Sequence, residues 1–262
     1  MTRLAQKFEE LKKKKRIAFM PFLVAGDPDF KTSLKIGKLF SSYADILEVG
    51  FPYSDPLADG PTIQAADSRA LKSGMTTDKV FELIRRIRSF SPVPISVLAY
   101  ANLVYQRGIR RFYREVLDAG VDGVLVPDVP MEEAAPFVSA SKKAGVDPIF
   151  LVTQTTTAKR LKKINACAMG YLYVVSVLGV TGVRDTLSPG TKEFLRRIKA
   201  GTSLPLAVGF GISTREQISA LKRAGADGAI VGSALVKIIE KNLNDKTGLI
   251  KKLKKHIAEL SS

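Results

Sequence analysis

Eight short apolar runs, rich in β-branched residues, alternate with longer amphipathic stretches along the whole chain, and this alternation constrains the fold most strongly. The stretches between the runs have helical spacing, with Lys and Arg on the polar face. Such alternation is typical of parallel strands that are connected by helices. The eight runs are Ile17–Val24, Ile46–Val49, Ile95–Ala99, Val121–Val126, Ile149–Val152, Tyr171–Val175, Leu204–Val208 and Ala229–Val231.

The junctions between helical stretches and apolar runs repeat a phrase that contains glycine. Residues 118–123 read DAGVDG, and residues 223–228 read RAGADG. A glycine just past a helix end adopts the left-handed conformation that terminates the helix, and the next apolar residues begin a strand. Eight such units predict a (β/α)8 TIM barrel with extra N-terminal and loop helices, forming one domain over residues 1–262. The alternative is an open doubly wound sheet, but no Gly-x-Gly-x-x-Gly follows the first run.

The charge balance raises the question of a nucleic-acid partner, because 41 Lys and Arg oppose 25 Asp and Glu. The basic runs at 12–16 and 251–255 lie in helix-like stretches without the interleaved aromatic residues of a single-strand binder. We therefore expect a basic surface that attracts an anionic substrate, and no nucleic acid, although nucleic-acid binding stays the alternative. A single cysteine, Cys167, and the lack of any run of about 20 apolar residues predict a cytoplasmic protein without membrane contact.

The segment after the second run carries two carboxylates. Alternation within the run places Glu48 on the face opposite Leu47 and Val49, so we expect Glu48 to point into the barrel. A buried carboxylate has a raised pKa, which suits proton transfer near neutrality. The alternative is an ion pair with an inward Lys or Arg, but the inward strand positions offer none. Asp59, at the end of the same segment, is either a catalytic carboxylate or the N-cap of a helix that begins near Thr62.

Two glycine-rich turns follow the seventh and eighth runs, at residues 209–213 and 232–234. These are the loops in which barrels often bind phosphate on backbone N–H groups. A third glycine-rich segment, residues 179–191, follows the sixth run, and we expect either a lid or a disordered connection there. The sequence therefore predicts a phosphorylated substrate.

Missing residue types narrow the chemistry further. The only histidine is His256, in a basic terminal stretch, which excludes a Ser–His–Asp triad and a metal site with several histidines. No lysine ends an apolar run, which argues against a Schiff base. Acid–base chemistry by carboxylates, without a metal, remains.

Several motifs, taken in chain order, resemble those of the tryptophan synthase alpha subunit family. Residues 19–28 are similar to the first-strand motif of that family, and residues 48–64 resemble its most diagnostic segment. The other matching segments are 100–104, 127–133, 179–182 and 209–213. The resemblance covers nearly the whole chain.

The resemblance implies a lyase that splits indole-3-glycerol phosphate into indole and glyceraldehyde-3-phosphate. It implies that Glu48 is the acid–base residue and that Asp59 faces the indole N–H. The remaining implied substrate contacts fall into three groups. Phe22, Leu98 and Tyr173 line the indole pocket, Thr181 closes the site over Asp59, and Gly182, Phe210, Gly211, Gly232 and Ser233 hold the phosphate.

The resemblance also implies a partner, the beta subunit, in an alpha2-beta2 complex. Pro52, Asp55 and Asn102 lie in segments that face this partner in relatives. Pyridoxal phosphate is expected in the beta subunit, with no cofactor in this chain. Three alternatives stay open: a weakly catalytic subunit that mainly activates beta, a stand-alone lyase, and another phosphate-binding barrel such as an isomerase. The segment from Glu48 to Asp59 argues against the last.

Overall fold

The computed structural model describes residues 1–175, 189–209 and 211–261, and eight strands in these ranges close into a parallel barrel. Each strand pairs with the next one along the chain, and β8 pairs with β1. The sequence prediction of a (β/α)8 barrel is confirmed. The strands are β1 (Ala18–Val24), β2 (Leu47–Gly50), β3 (Ile95–Leu98), β4 (Gly123–Leu125), β5 (Asp147–Val152), β6 (Leu172–Val175), β7 (Leu206–Gly209) and β8 (Gly228–Val231).

Helices lie between the strands, and the described ranges contain twelve of them. Eight of them follow the eight strands, one after each strand, and four are extra. The extra helices are α1, which precedes the barrel, and a second helix after each of β2, β3 and β8. The expected N-terminal and loop helices are therefore present. The helices are α1 (Arg3–Lys13), α2 (Phe30–Ser41), α3 (Pro61–Lys72), α4 (Thr77–Arg88), α5 (Ala101–Arg107), α6 (Ile109–Asp118), α7 (Ala135–Ala144), α8 (Ala158–Cys167), α9 (Pro189–Ala200), α10 (Arg215–Arg223), α11 (Ser233–Glu240) and α12 (Lys246–Ser261).

Glycine ends three of these helices as the repeated phrase predicted. Gly120, Gly145 and Gly225 follow α6, α7 and α10, and their φ angles of +83°, +72° and +94° lie in the left-handed region. Residues with a side chain rarely adopt this conformation, so glycine allows the chain to turn directly into the next strand. The strand ends differ from the predicted ones by one or two residues, because hydrogen bonding rather than apolar character sets them.

The N-terminal rim of the barrel is closed by α1 and by an ionic cluster. Leu4, Phe8 and Leu11 on α1 are buried. Asp122, just before β4, accepts hydrogen bonds from the Arg3 and Arg88 side chains at 2.5 and 3.0 Å and from the Ile95 backbone N–H at 2.8 Å. Helix α1 and this cluster therefore cover the N-terminal rim, opposite the ends of the strands where the site residues are predicted.

No helix in the described ranges is both long enough and apolar enough to cross a membrane. The two basic runs lie on helices, one at the end of α1 and one within α12. Lys12, Lys13, Lys251 and Lys252 are exposed, which fits a solvated helix face.

Candidate active site

Glu48 points into the barrel, as the alternation along β2 predicted. It pairs in register with Phe22 on β1 and with Ser96 on β3, and only 1% of its surface is exposed. Gly50, two residues later, lies so close to Phe22 that an added Cβ would be 2.7 Å from the ring. The tight contact between β1 and β2 fixes the position of the strand that carries Glu48.

The Glu48 carboxyl has no cationic partner among the described residues. Its Oε1 lies 3.3 Å from the hydroxyl of Tyr171, which is also 3.0 Å from Ser96 Oγ, and its Oε2 has no hydrogen-bond partner. Burial raises the pKa of Glu48, the Tyr171 hydroxyl opposes this shift, and the negative charge of Asp59 adds to it, which gives a pKa of about 8. Glu48 is therefore a carboxylic acid at neutral pH, and the ion-pair alternative is wrong.

Asp59 ends the loop between β2 and α3. The N-cap of α3 is Gly60, which makes no side-chain cap, and Asp59 Oδ2 instead accepts a 2.7 Å hydrogen bond from the Tyr100 hydroxyl. The same hydroxyl accepts a bond of 3.0 Å from the Ala58 backbone N–H. Burial raises the pKa of Asp59, and the Tyr100 hydroxyl opposes this shift. The capping interpretation of Asp59 is excluded, and its carboxylate is held by an aromatic side chain.

Asp59 lines a cavity of about 310 Å³ at the open end of the barrel. The predicted indole-pocket residues Phe22, Leu98 and Tyr173 lie in its wall, as do the predicted phosphate-binding residues Gly211, Gly232 and Ser233. Glu48 is not in this wall itself, but its register partner Phe22 is. The structure thus brings together the described residues that the sequence assigned to one substrate. The remaining lining residues are Gly60, Pro61, Thr62, Ile63, Ile230 and Lys237.

The phosphate end of the cavity lies at the start of α11. Gly232 is the N-cap and provides no side-chain cap, so the first turn of α11 keeps N–H groups for a ligand. Gly211 has a φ of +73°, in the left-handed region that favours glycine. Three other predicted site residues, Thr181, Gly182 and Phe210, lie outside the described residues, together with most of the predicted lid at 179–191.

The three predicted partner-facing residues lie near the same end. Asp55 and Asn102 are exposed, whereas Pro52 is buried within the chain. Leu57, between Asp55 and Asp59, is 92% exposed, which is high for a large apolar side chain. A partner surface here would therefore meet Asp55, Asn102 and Leu57 rather than the ring of Pro52.

The sequence motifs assign no role to three aromatic or acidic residues at or near the site. Tyr100 lies within a motif and Tyr171 begins an apolar run, and alternation along β6 puts Tyr171 on the same face as Tyr173. Asp67 on α3 is buried, its Oδ2 has no hydrogen-bond partner, and burial and the charge of Asp59 raise its pKa to about 8. No pattern in the sequence marks Asp67.

A second cavity, of about 360 Å³, lies between β4 and β5 and the helices α7 and α8. Neither Glu48 nor Asp59 lines it, and its charged lining residues are Asp128 and Arg160, the latter paired with Glu132 at 2.8 Å. We therefore assign the candidate active site to the smaller cavity. Within residues 1–175, 189–209 and 211–261, no three His, Cys, Asp or Glu side chains are grouped as metal ligands.

Comparison with known proteins gives one consistent family. The family model described as tryptophan synthase alpha chain matches residues 8–262. The tryptophan synthase alpha chain of Methanoregula boonei is 53% identical over 247 residues, which are 94% of this chain and 93% of that protein. The alpha chain of Methanothermobacter thermautotrophicus is 50% identical over 237 residues, which are 90% of this chain and 88% of that protein.

Solved structures agree with these sequence relatives. The tryptophan synthase a2b2 complex of Pyrococcus furiosus contains a chain that is 39% identical, with a TM-score of 0.88, covering 93% of this chain and 97% of that one. Tryptophan synthase subunit alpha of Legionella pneumophila is 34% identical, with a TM-score of 0.91, and the match covers 100% of this chain and 97% of that one.

Proposed function

The chain belongs to the tryptophan synthase alpha chain family, and on that premise we propose that it is the lyase subunit that cleaves indole-3-glycerol phosphate. The products are indole and glyceraldehyde-3-phosphate. The observation that carries the proposal is a pair of carboxylates: Asp59, in the cavity wall, and Glu48, buried without a cationic partner beside the wall residue Phe22. Neither carboxylate is neutralised by a basic side chain in the described part of the chain, so both are available for chemistry.

Glu48 is proposed as the acid–base residue at the breaking carbon–carbon bond. With a pKa of about 8 it is protonated at neutral pH and can deliver its proton to C3 of the indole ring. The resulting carboxylate then removes the proton from the hydroxyl on the adjacent carbon. The electrons of the breaking bond return to the ring, which releases indole, and the former hydroxyl carbon becomes the aldehyde. One residue thus both gives and takes a proton, and no proton is gained or lost overall.

Asp59 is proposed to stabilise the positive charge that protonation at C3 places on the ring nitrogen. A carboxylate aimed at the indole N–H lowers the energy of this intermediate more than that of the neutral substrate. The Tyr100 hydroxyl, 2.7 Å from Oδ2, holds the carboxylate in place and leaves its other oxygen for the substrate. Asp59 works in the ionised form, whereas Glu48 starts in the protonated form.

The rest of the cavity suits the two ends of this substrate. Phe22, Leu98 and Tyr173 supply an apolar wall for the indole ring. Gly211, Gly232 and Ser233 offer backbone N–H groups and the first turn of α11 to the phosphate. Thr181, Gly182 and Phe210 are proposed to complete the enclosure by their resemblance to the family.

The proposed partner is the tryptophan synthase beta subunit in an alpha2-beta2 complex, as in the a2b2 complex of Pyrococcus furiosus. Exposed Asp55, between β2 and α3, and exposed Asn102, on α5, lie at the open end of the barrel, where a partner would receive the indole directly. Pyridoxal phosphate belongs to the beta subunit in this proposal, and this chain holds no cofactor. We place the protein in the cytoplasm.

Indole release from indole-3-glycerol phosphate tests the proposal, first with the purified chain and then with a beta subunit added. Slow release that rises strongly with beta supports a coupled alpha subunit. Fast release without beta indicates a stand-alone lyase. If no indole appears in either case while beta is still stimulated, the chain is a regulator and the proposed cleavage is wrong.

A further inference from the structure

The described wall of the active-site cavity carries one anionic and one cationic side chain. The anion is Asp59 and the cation is Lys237 on α11. Lys237 is exposed, and its side chain makes no hydrogen bond or ion pair with any described residue. Neither the proposed mechanism nor the glycine-rich turns make use of it. A lysine that lines a cavity and has no protein partner is available to a ligand.

The position of Lys237 on its helix directs its charge to the phosphate end. Lys237 follows Ser233 by four residues, so the two side chains lie on the same face of α11. Side chains on a helix lean toward its N-terminus, and the long lysine stem extends back over the preceding turn. We therefore expect the ammonium group to reach toward Ser233 and Gly232, which line the same cavity and where the phosphate is proposed to bind.

We propose that Lys237 is a substrate-binding residue that selects the phosphorylated form of the substrate, an inference that rests on the proposed function. The phosphate monoester carries nearly two negative charges at neutral pH. Backbone N–H groups at the start of α11 recognise its oxygens, and Lys237 adds a full positive charge that those groups lack. Asp59, in the wall of the same cavity, is proposed to face the ring nitrogen. The two charges therefore align the substrate in one direction only.

The experiment compares two substrates, indole-3-glycerol phosphate and the same molecule without its phosphate. In Lys237→Met, the ratio of kcat/KM for the phosphorylated to the dephosphorylated substrate should fall about tenfold, as for the loss of one hydrogen bond to a charged group. Lys237→Arg should keep most of the preference. The matched control is Lys241→Met, which removes another exposed lysine one turn further along, outside the cavity wall. An unchanged ratio in Lys237→Met, or an equal fall in Lys241→Met, would overturn the proposal.

A second readout separates this inference from the proposed function. Inorganic phosphate is titrated into the parent protein and into Lys237→Met by calorimetry, without any turnover. We expect about tenfold weaker binding in the variant. If the parent protein cleaves nothing but its phosphate binding depends on Lys237, only the proposed function fails. If cleavage occurs and phosphate binds both proteins equally, only the role of Lys237 fails.

Discussion

Two carboxylates, one at the N-terminal rim of the barrel and one in its interior, are buried among different groups. At the N-terminal rim, Asp122 receives hydrogen bonds from two arginines and one backbone N–H. Inside the barrel, Glu48 is more deeply buried but has only the Tyr171 hydroxyl at 3.3 Å, and its second oxygen has no partner. A buried charge costs several kcal/mol unless it is paired. The pairing at the rim stabilises the fold, and the lack of pairing inside leaves a protonated acid for chemistry.

The largest effect is expected from removing the proton donor inside the barrel. Glu48→Gln keeps the shape of the side chain but can neither deliver nor accept the proton, so kcat should fall about 1,000-fold. Indole release under saturating substrate measures the change. Parental activity in this variant would show that Glu48 is not the acid–base residue and would remove the contrast with Asp122.

A large effect on stability, not on catalysis, is expected at the rim. Asp122→Ala leaves Arg3, Arg88 and the Ile95 N–H without their shared acceptor, and should lower the free energy of unfolding by about 3 kcal/mol. Urea denaturation measures the loss, and kcat well below the melting temperature should stay close to the parental value. Asp118→Ala, at an exposed carboxylate near the same rim, is the control and should change little. A 10-fold lower kcat in Asp122→Ala would show that Asp122 also affects catalysis and would contradict a purely structural role.

The pH dependence of kcat/KM sharpens the comparison. Glu48 must start protonated, and its pKa is about 8, so the rate should fall by up to tenfold per unit as the pH rises above about 8. Asp59 must be ionised, and burial raises its pKa, so an acid limb should lie above the ordinary value of 3.8. A profile measured from pH 5 to 10 tests both limbs. A rate that keeps rising above pH 9 would contradict the protonated state of Glu48.

A smaller effect is expected at the residue that positions Asp59. Tyr100→Phe keeps the ring, which stacks on Tyr53 with the ring centres 4.9 Å apart, but removes the hydroxyl that donates to Asp59. We expect kcat/KM to fall about 10-fold, as for the loss of one hydrogen bond to a charged group. The acid limb should move to higher pH, because the hydroxyl lowers the pKa of Asp59. An unchanged acid limb would show that Tyr100 does not act through Asp59.

The contrast between the two ends also separates what the sequence could predict from what it could not. The inward direction of Glu48 followed from alternation along one strand, a local property. The roles of Asp59 and Asp122 depend on partners that are distant in the chain: Tyr100 is 41 residues from Asp59, and Arg3 is 119 residues from Asp122. The residue pattern by itself therefore left Asp59 open between cap and catalyst, and only the family resemblance assigned it to the indole N–H. Asp122 entered the prediction only as part of a helix–strand junction.

The central claim is that the barrel keeps Glu48 unpaired for catalysis at a cost in stability. Its folded-state pKa of about 8 lies above the ordinary value of 4.5, so Glu48 disfavours folding increasingly as the pH rises from about 5 to 8. The most direct test is urea unfolding of the parent and Glu48→Gln across this range. We predict that the difference shifts in favour of the variant by up to about 1.4 kcal/mol per pH unit, so that the inactive protein is the more stable one at pH 8. A variant that is less stable than the parent at pH 8 would contradict the claim and make Glu48 a structural residue.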